Sequence, residues 1–406
     1  MARTVAALPP GTRLTDYISL GVLAKTFPRS RIDAVLTQTG RGSRRQRELP
    51  AHVVVYYVIA LALYMQASYR EVLRCLLEGL QWMASPSTPL KVTGKSGISQ
   101  ARTRLGWTPD KELYDQLVGP IAGLTTRGAW YHTWRLVTLD GTTFDIADTR
   151  ENVQAFGRPG ASRGTSAYPQ LRVVSLVENG THVLFGTALG RYCEGETTLA
   201  RQVLPALRPG MLCLADRLFF GWALWHAAHA TGADLVWRIK ATRRLPRDTA
   251  LPDGSYLSTI YPSPGDQRRR TNGATVRVIE YTLPGVRDTE PVYRLVTTLR
   301  DPAAAPAADL AALYHERWEI ETALDELKTH LRGAKVVLRS KTPDLVRQEC
   351  YGLFLAHFAI RGLMHDAAVT VDTDPDQLSF VHAVRVIRRT LPRAGAIPPS
   401  GDPRLP

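Results

Sequence analysis

Between residues 130 and 240 the chain switches repeatedly between the two-residue period of a strand and the longer period of a helix. That succession limits the possible folds more than any other feature of the sequence. Trp134-Arg-Leu-Val-Thr-Leu-Asp140 has the composition of a short strand ending at an acid and Gly141. Leu171 to Glu178 and His182 to Leu189 are two further β-rich runs, joined at Asn179-Gly180, a strong hairpin signal. Glu196 to Leu207 has helical spacing, and Met211-Leu-Cys-Leu-Ala-Asp216 is apolar up to its terminal aspartate. Phe219 to Ala230 is helical again, and Leu235 to Lys240 is a buried strand. Three strands with a hairpin, then helix, strand, helix and strand, predict an α/β fold with a mixed sheet.

Asp140 and Asp216 each end an apolar strand, where a rigid sheet would fix a carboxylate in space. Asp140 competes with Asp145 and Asp148, which are expected in the following turn, facing water. Asp216 has no acidic rival in its segment. A single acid after apolar residues is usually an ordinary strand end. Two such acids in one basic chain, with a third available on a helix, point to metal binding. Phosphodiester cleavage needs charge stabilisation on both the attacking and the leaving oxygen, which two Mg²⁺ ions about 4 Å apart provide. Mg²⁺ keeps several waters, so three acids from separate elements suffice.

The third acid belongs to Tyr314-His-Glu-Arg-Trp-Glu-Ile-Glu-Thr-Ala-Leu-Asp-Glu-Leu-Lys328, a stretch without glycine or proline. Its apolar residues Leu313, Ile320, Leu324, Leu327 and Leu331 recur at helical spacing. At about 100° per residue, Tyr314, Arg317, Glu321 and Lys328 fall within an arc of roughly 60° beside the apolar stripe. Trp318 lies near the same edge. The plainer alternative is a solvated face with ion pairs inside the helix. Geometry alone does not choose Glu321, since Asp325 follows one turn later on the same edge. Glu316, Glu319 and Glu326 point elsewhere and are expected in solvent.

The spacing Tyr-x2-Arg-x3-Glu-x6-Lys resembles the YREK signature of the insertion-sequence-4 family of bacterial DDE transposases, and the motif selects Glu321. The resemblance extends to Leu139-Asp-Gly-Thr-Thr-Phe-Asp-Ile-Ala-Asp-Thr149 and Leu214-Ala-Asp-Arg-Leu-Phe-Phe220, and covers most of residues 20–365. It implies that Asp140, Asp216 and Glu321 are the catalytic, metal-binding acids, and that Tyr314, Arg317 and Lys328 grip DNA phosphates near the cut. The strand order 130–240 is that of the ribonuclease-H-like fold. Residues 241–300 interrupt it with β-rich runs, Ala274 to Thr282 and Val292 to Leu299, and the family carries a β-rich insertion there. Tyr293 lies where some relatives stack a tryptophan on a flipped base, although simple packing is the ordinary role of a strand tyrosine. Arg217, beside Asp216, can touch a phosphate or form a structural ion pair.

The 406 residues carry 51 basic and 37 acidic side chains, a net charge of +14, which suits a polyanionic partner. Nucleic acid is the commonest such partner, and an anionic membrane surface competes with it. Residues 1–125 look helical and basic. Leu20 to Thr39 is expected to be one helix, followed by a cluster of Arg41, Arg44, Arg45 and Arg47 with Arg31 nearby. Such a cluster is a solvated loop or a set of phosphate contacts. Pro50 opens a helix through Met65, and Ser68-Tyr-Arg-Glu71 has the form of a capping box for another, through Leu80. Gly94-Lys95-Ser96 invites a phosphate-loop reading, which fails because Pro89 stands where the glycine is needed. Ser99 then reads as an N-cap for a short basic helix carrying Arg102 and Arg104, of the kind that enters a DNA groove.

The expected division is a helical DNA-binding domain (1–125), a catalytic domain (130–240 and 301–368), a β-rich insertion (241–300), and a C-terminal helix with a disordered tail (369–406). Asp344 to Met364, at the end of the catalytic domain, and Asp376 to Arg389 read as helices, and Arg393 to Pro406 as the tail. Val53 to Met65, the longest apolar run, is too short to span a bilayer. No signal peptide is visible. Cys75, Cys193, Cys213 and Cys350 stand far apart, without zinc spacing, and read as reduced thiols of a cytoplasmic protein. Taken together, the expectation is a bacterial, nucleoid-associated cut-and-paste transposase. It would use two Mg²⁺ ions, replaceable by Mn²⁺, on double-stranded DNA: terminal inverted repeats and target. The family implies a homodimer on paired ends. The alternatives are a metal-dependent nuclease without strand transfer and a catalytically inactive DNA-binding protein.

Overall fold

The computed structural model describes residues 18–43, 49–65, 67–84, 94–161, 164–240, 242–243, 245–282, 292–331 and 337–388. Six helices come first: α1 (Ile18–Thr26), α2 (Arg29–Gln38), α3 (Ala51–Leu63), α4 (Tyr69–Ala84), α5 (Lys95–Leu105) and α6 (Thr108–Leu117). The single helix expected over 20–39 is two, because Pro28 lacks an N–H and disfavours helical geometry at Phe27 before it. The helix expected to start at Ser99 begins at Lys95, with Gly94 at its N-cap. Ser68 caps its helix, its Oγ accepting the Glu71 N–H at 3.2 Å, while the Glu71 carboxylate pairs with Arg74 at 2.7 Å.

The remaining elements are β1 (Trp130–Tyr131), β2 (Trp134–Asp145), α7 (Arg150–Phe156), β3 (Gly160–Ala161), β4 (Gly164–Thr165), β5 (Gln170–Glu178), β6 (Val183–Arg191), α8 (Glu196–Val203), β7 (Met211–Ala215), α9 (Trp222–His229), β8 (Asp234–Ile239), β9 (Thr249–Ala250), β10 (Tyr256–Ile260), α10 (Pro264–Arg269), β11 (Ala274–Tyr281), β12 (Tyr293–Thr297), α11 (Ala307–His315), α12 (Glu319–Asp325), α13 (Pro343–Thr370) and α14 (Phe380–Arg388). The main sheet runs β6-β5-β2-β7-β8-β12-β11-β10-β9, with β1 also on β2. Its first five strands follow the ribonuclease-H-like order: β5 is antiparallel to β2 and β6, while β2, β7 and β8 are parallel. The segment 241–300 does not fold away from this sheet. It extends it, through β12 antiparallel to β8.

Burial follows strand composition. All five residues of β7 are buried, as a central parallel strand covered on both faces requires. Helices α3 and α13 form the largest helical contact, and both contribute to one continuous apolar core with the sheet. The N-terminal helices are therefore packed on the layers of the sheet rather than separated from them. α3 is buried from Val53 to Leu63. Among the described residues no helix is long and apolar enough to cross a membrane.

Candidate active site

Asp140 and Asp216 come together through strand register. β2 and β7 pair in parallel from Arg135 with Met211 to Leu139 with Ala215, so the next residue on each strand is an aspartate. Neighbouring strands lie about 4.8 Å apart, which sets the two carboxylates side by side. The first strand does not end at Asp140, as expected, but continues through Asp145. Asp145 accepts from Gln170 Nε2 at 2.8 Å, and exposed Asp148 pairs with Arg158. Neither competes with Asp140 for the place beside β7.

Asp140 Oδ1 accepts the Gly141 N–H at 2.7 Å, and its Oδ2 accepts from the Arg317 guanidinium at 3.4 Å. Burial pushes the Asp140 carboxyl up to about 6; the Gly141 N–H and Arg317 pull it down, and neighbouring Glu196 and Asp216 push it up further. Asp216 Oδ1 is buried without a hydrogen-bond partner among the described residues. A buried, partnerless carboxylate oxygen is costly unless a cation takes it.

Arg317 connects the third acid. Its guanidinium is 3.7 Å from Glu321 Oε1 as well as 3.4 Å from Asp140 Oδ2, and the residue is 8% exposed. The Glu321 side chain is half exposed, at 51%, leaving it open to a ligand from solvent. Asp325, the rival on the same helical edge, instead accepts from Thr329 Oγ1 and faces His330 at 3.4 Å. Lys328 Nζ donates to Thr142 Oγ1 at 3.0 Å. Thr142 shares a face of β2 with Asp140, since alternate strand residues point the same way.

The helix carrying these groups is not one unbroken α-helix. α11 passes into a 3₁₀ turn at Glu316–Trp318, then α12, then a π-helical turn at Glu326–Leu331. Tyr314, expected at a phosphate, is 5% exposed and its hydroxyl donates to the Ala215 carbonyl at 3.3 Å. That bond ties the helix to the residue before Asp216. Glu319 and Glu326, expected in solvent, face inward: Glu326 is 4% exposed and pairs with Arg361, and the Glu319 side chain is 18% exposed.

Sequence reasoning missed Glu196. It opens α8, pairs with Arg172 at 3.2 Å, and its side chain lies over Gly141: a Cβ at that glycine would stand 2.9 Å from Glu196 Cδ. The glycine directly after Asp140 was the available signal, marking a close approach.

Arg217 is exposed next to Asp216. Tyr293 is half-buried, stacked on Tyr281 at 5.3 Å with the Arg238 guanidinium over its ring, and Tyr281 meets His315 beside Tyr314 edge-on. Arg102 does not fit its expected contact with DNA: it is 3% exposed, and its guanidinium donates to Gln348 Oε1 at 2.8 Å and Ser340 Oγ at 3.0 Å. The reason is its position on the stripe Ile98, Ala101, Arg102, Leu105, the buried face of α5. Arg104 is exposed, and with Arg41 lines a cavity of about 210 Å³ between α5 and the segment after α2. Arg44, Arg45 and Arg47, like the tail 393–406, lie outside the described residues.

A ribonuclease-H-like sheet whose paired central strands set two aspartates side by side, with a glutamate on a helix packed against that sheet, defines a class of metal-dependent nucleic-acid-processing enzymes. Two family descriptions match the chain: insertion element 4 transposase N-terminal over residues 17–115, and transposase DDE domain over residues 134–359. The chain belongs to the insertion-element-4 family of DDE transposases. It is 27% identical over 402 residues to the transposase InsG for insertion sequence element IS4 of Escherichia coli strain K12, covering 98% of this chain and 86% of that one. A cryo-EM structure of the piggyBac transposase synaptic complex with hairpin DNA is a distant structural neighbour, with a TM-score of 0.48, 11% identity, and coverage of 95% of this chain and 84% of that one. The family implies a divalent metal ion and DNA as partner. The donor set suits a hard cation: all three candidate groups are carboxylates, and the partnerless Asp216 Oδ1 supplies a vacant acceptor.

Proposed function

We propose that this chain is a cut-and-paste DNA transposase in which Asp140, Asp216 and Glu321 hold two Mg²⁺ ions, with Mn²⁺ able to replace them. The observation that carries this assignment is the parallel register that sets Asp140 beside Asp216, with Arg317 between Asp140 and Glu321. Divalent ions there supply charge stabilisation to the attacking and leaving oxygens of phosphodiester cleavage. The chain's own groups do the rest. The sheet fixes the two aspartates, and Tyr314 holds the helix against Ala215. Arg317 keeps Asp140 and Glu321 at a fixed separation, and Lys328 stands beside the acids as a phosphate contact. Water would first nick the element's end and free its 3′-hydroxyl, which would attack the opposite strand to form a hairpin. A second water would open the hairpin and regenerate the 3′-hydroxyl for attack on target DNA, so no protein nucleophile takes part. Arg217 and Tyr293 flank the site, and the helices of residues 1–125, with Arg104, Arg44, Arg45 and Arg47, take the terminal inverted repeats. Two such chains on paired ends, acting at the nucleoid, complete the reaction.

A labelled terminal-repeat duplex, mixed with protein and Mg²⁺, tests this directly. Nicked ends together with strand-joined products are expected, both lowered at least about a hundredfold by Asp216→Asn, the loss of one ligand of a catalytic ion. Nicks without joining would identify a nuclease instead. Binding without either product would identify an inactive DNA-binding protein.

A further inference from the structure

Among the described residues, one other cluster has the makings of a metal centre: His182 from the β5–β6 turn, Glu319 from α12 and Asp376 from the 3₁₀ turn before α14. One donor atom from each lies within 4.8 Å of the others. We propose that His182, Glu319 and Asp376 form a second divalent-metal site, of zinc class, distinct from the acids of the cut. Its ion would clip the C-terminal segment onto the helix that carries Glu321.

The distances fit such an ion. Bonds of about 2.05 Å in a tetrahedral site separate neighbouring donors by roughly 3.3 Å. His182 Nε2 is 3.1 Å from Asp376 Oδ1 and 3.8 Å from Glu319 Oε2. The imidazole itself points to a ligand. His182 is 3% exposed, yet its Nε2 has no hydrogen-bond partner among the described residues.

The surroundings supply the support that metal-bound imidazoles require. His182 Nδ1 is 3.3 Å from Glu326 Oε1, a carboxylate held by Arg361 and by His357 at 3.3 Å. An ion on Nε2 places the ring proton on Nδ1, where Glu326 accepts it, the carboxylate–histidine–metal arrangement of many sites. The Arg361 guanidinium also touches Nδ1, so without an ion the opposite tautomer is available. Glu319 Oε2 accepts the Gly180 N–H at 2.6 Å, which orients its carboxylate toward the ring. Glu316 and Asp374 add further negative charge around the cluster. The donors, one imidazole and two carboxylates, suit Zn²⁺ better than Mg²⁺. Asp376 is exposed, giving an ion a path in from solvent. The ligands are far apart in sequence, which is why no zinc spacing is visible there.

The test uses the full chain carrying Asp140→Asn, Asp216→Asn and Glu321→Gln, stripped of metal and titrated with Zn²⁺ by calorimetry. One equivalent of Zn²⁺ should bind and raise the melting temperature. Asp376→Asn, and separately Glu319→Gln, should weaken binding at least about tenfold, with the metal-free melting curve showing that each variant is folded. A zinc-edge X-ray absorption spectrum fitted by one nitrogen and oxygens supports the site. No Zn²⁺ binding, binding unchanged by both substitutions, or a spectrum requiring sulfur overturns it.

Discussion

At the scale of single residues, the site turns on one guanidinium. Arg317 faces Asp140 and Glu321 at once and is nearly buried. A lysine cannot reproduce that planar fork, so Arg317→Lys should lower strand cleavage about 10- to 100-fold, the range for groups that orient metal ligands. Equal rates in a single-turnover assay would show that the bridge is dispensable. The raised Asp140 carboxyl gives a second expectation. Protons compete with the ion for this group, so metal affinity should rise with pH up to about 6 and level off above it. Below that, each pH unit should weaken binding roughly tenfold for one displaced proton. The sign for the metal-free fold is opposite: a carboxyl raised on folding stabilises the fold at low pH, and this contribution is lost as pH rises through about 6. Titration calorimetry at several pH values checks the first slope; a flat profile from pH 4 to 7 contradicts it. Asp140, Asp216 and Glu321 could be singled out as candidates because apolar runs before an acid and a spaced motif mark them. Glu196 and the inward turn of Glu319 and Glu326 were not, since both depend on which distant element packs on each face.

At the scale of elements, most strands and helices could be read from period and punctuation, and the misses have physical causes. The helix around Tyr314 changes from α to 3₁₀ to π without glycine or proline, because apolar spacing tolerates a one-residue change of pitch. Such π turns cluster at functional sites, and here the turn holds both Lys328 and buried Glu326. β2 runs past Asp140 because β5 pairs with it as far as Asp145, and Gly141 there looked like a stop. The crossing of α3 and α13 was beyond sequence reasoning, since nothing local says which helices will meet. It rests on a close approach at Gly352, where a Cβ would stand 2.7 Å from the Val58 carbonyl oxygen. Gly352→Ala should therefore force the helices apart and cost about 1–3 kcal/mol, read as a lower urea midpoint. An unchanged midpoint would mean the crossing has slack that the close contact conceals.

At the scale of the whole molecule, the chain is a basic protein whose N-terminal helices share one core with a ribonuclease-H-like sheet. The expected boundary near residue 125 marks a change of secondary structure, not of packing, and composition alone could not reveal that. The same packing positions the three acids. Asp140 and Asp216 are set by the sheet, and Glu321 by a helix that Tyr314 anchors to β7. Whether this assembly holds catalytic ions is open to a metal-switch experiment on the complete protein and a terminal-repeat duplex. Asp216→Cys offers a thiolate, a poor ligand for Mg²⁺ and a better one for Mn²⁺. Cleavage by this variant should fall at least about a hundredfold in Mg²⁺ and recover at least about tenfold in Mn²⁺. Cleavage in Mg²⁺ within about twofold of the unsubstituted protein, under 0.5 kcal/mol in the barrier, would remove Asp216 from the metal site.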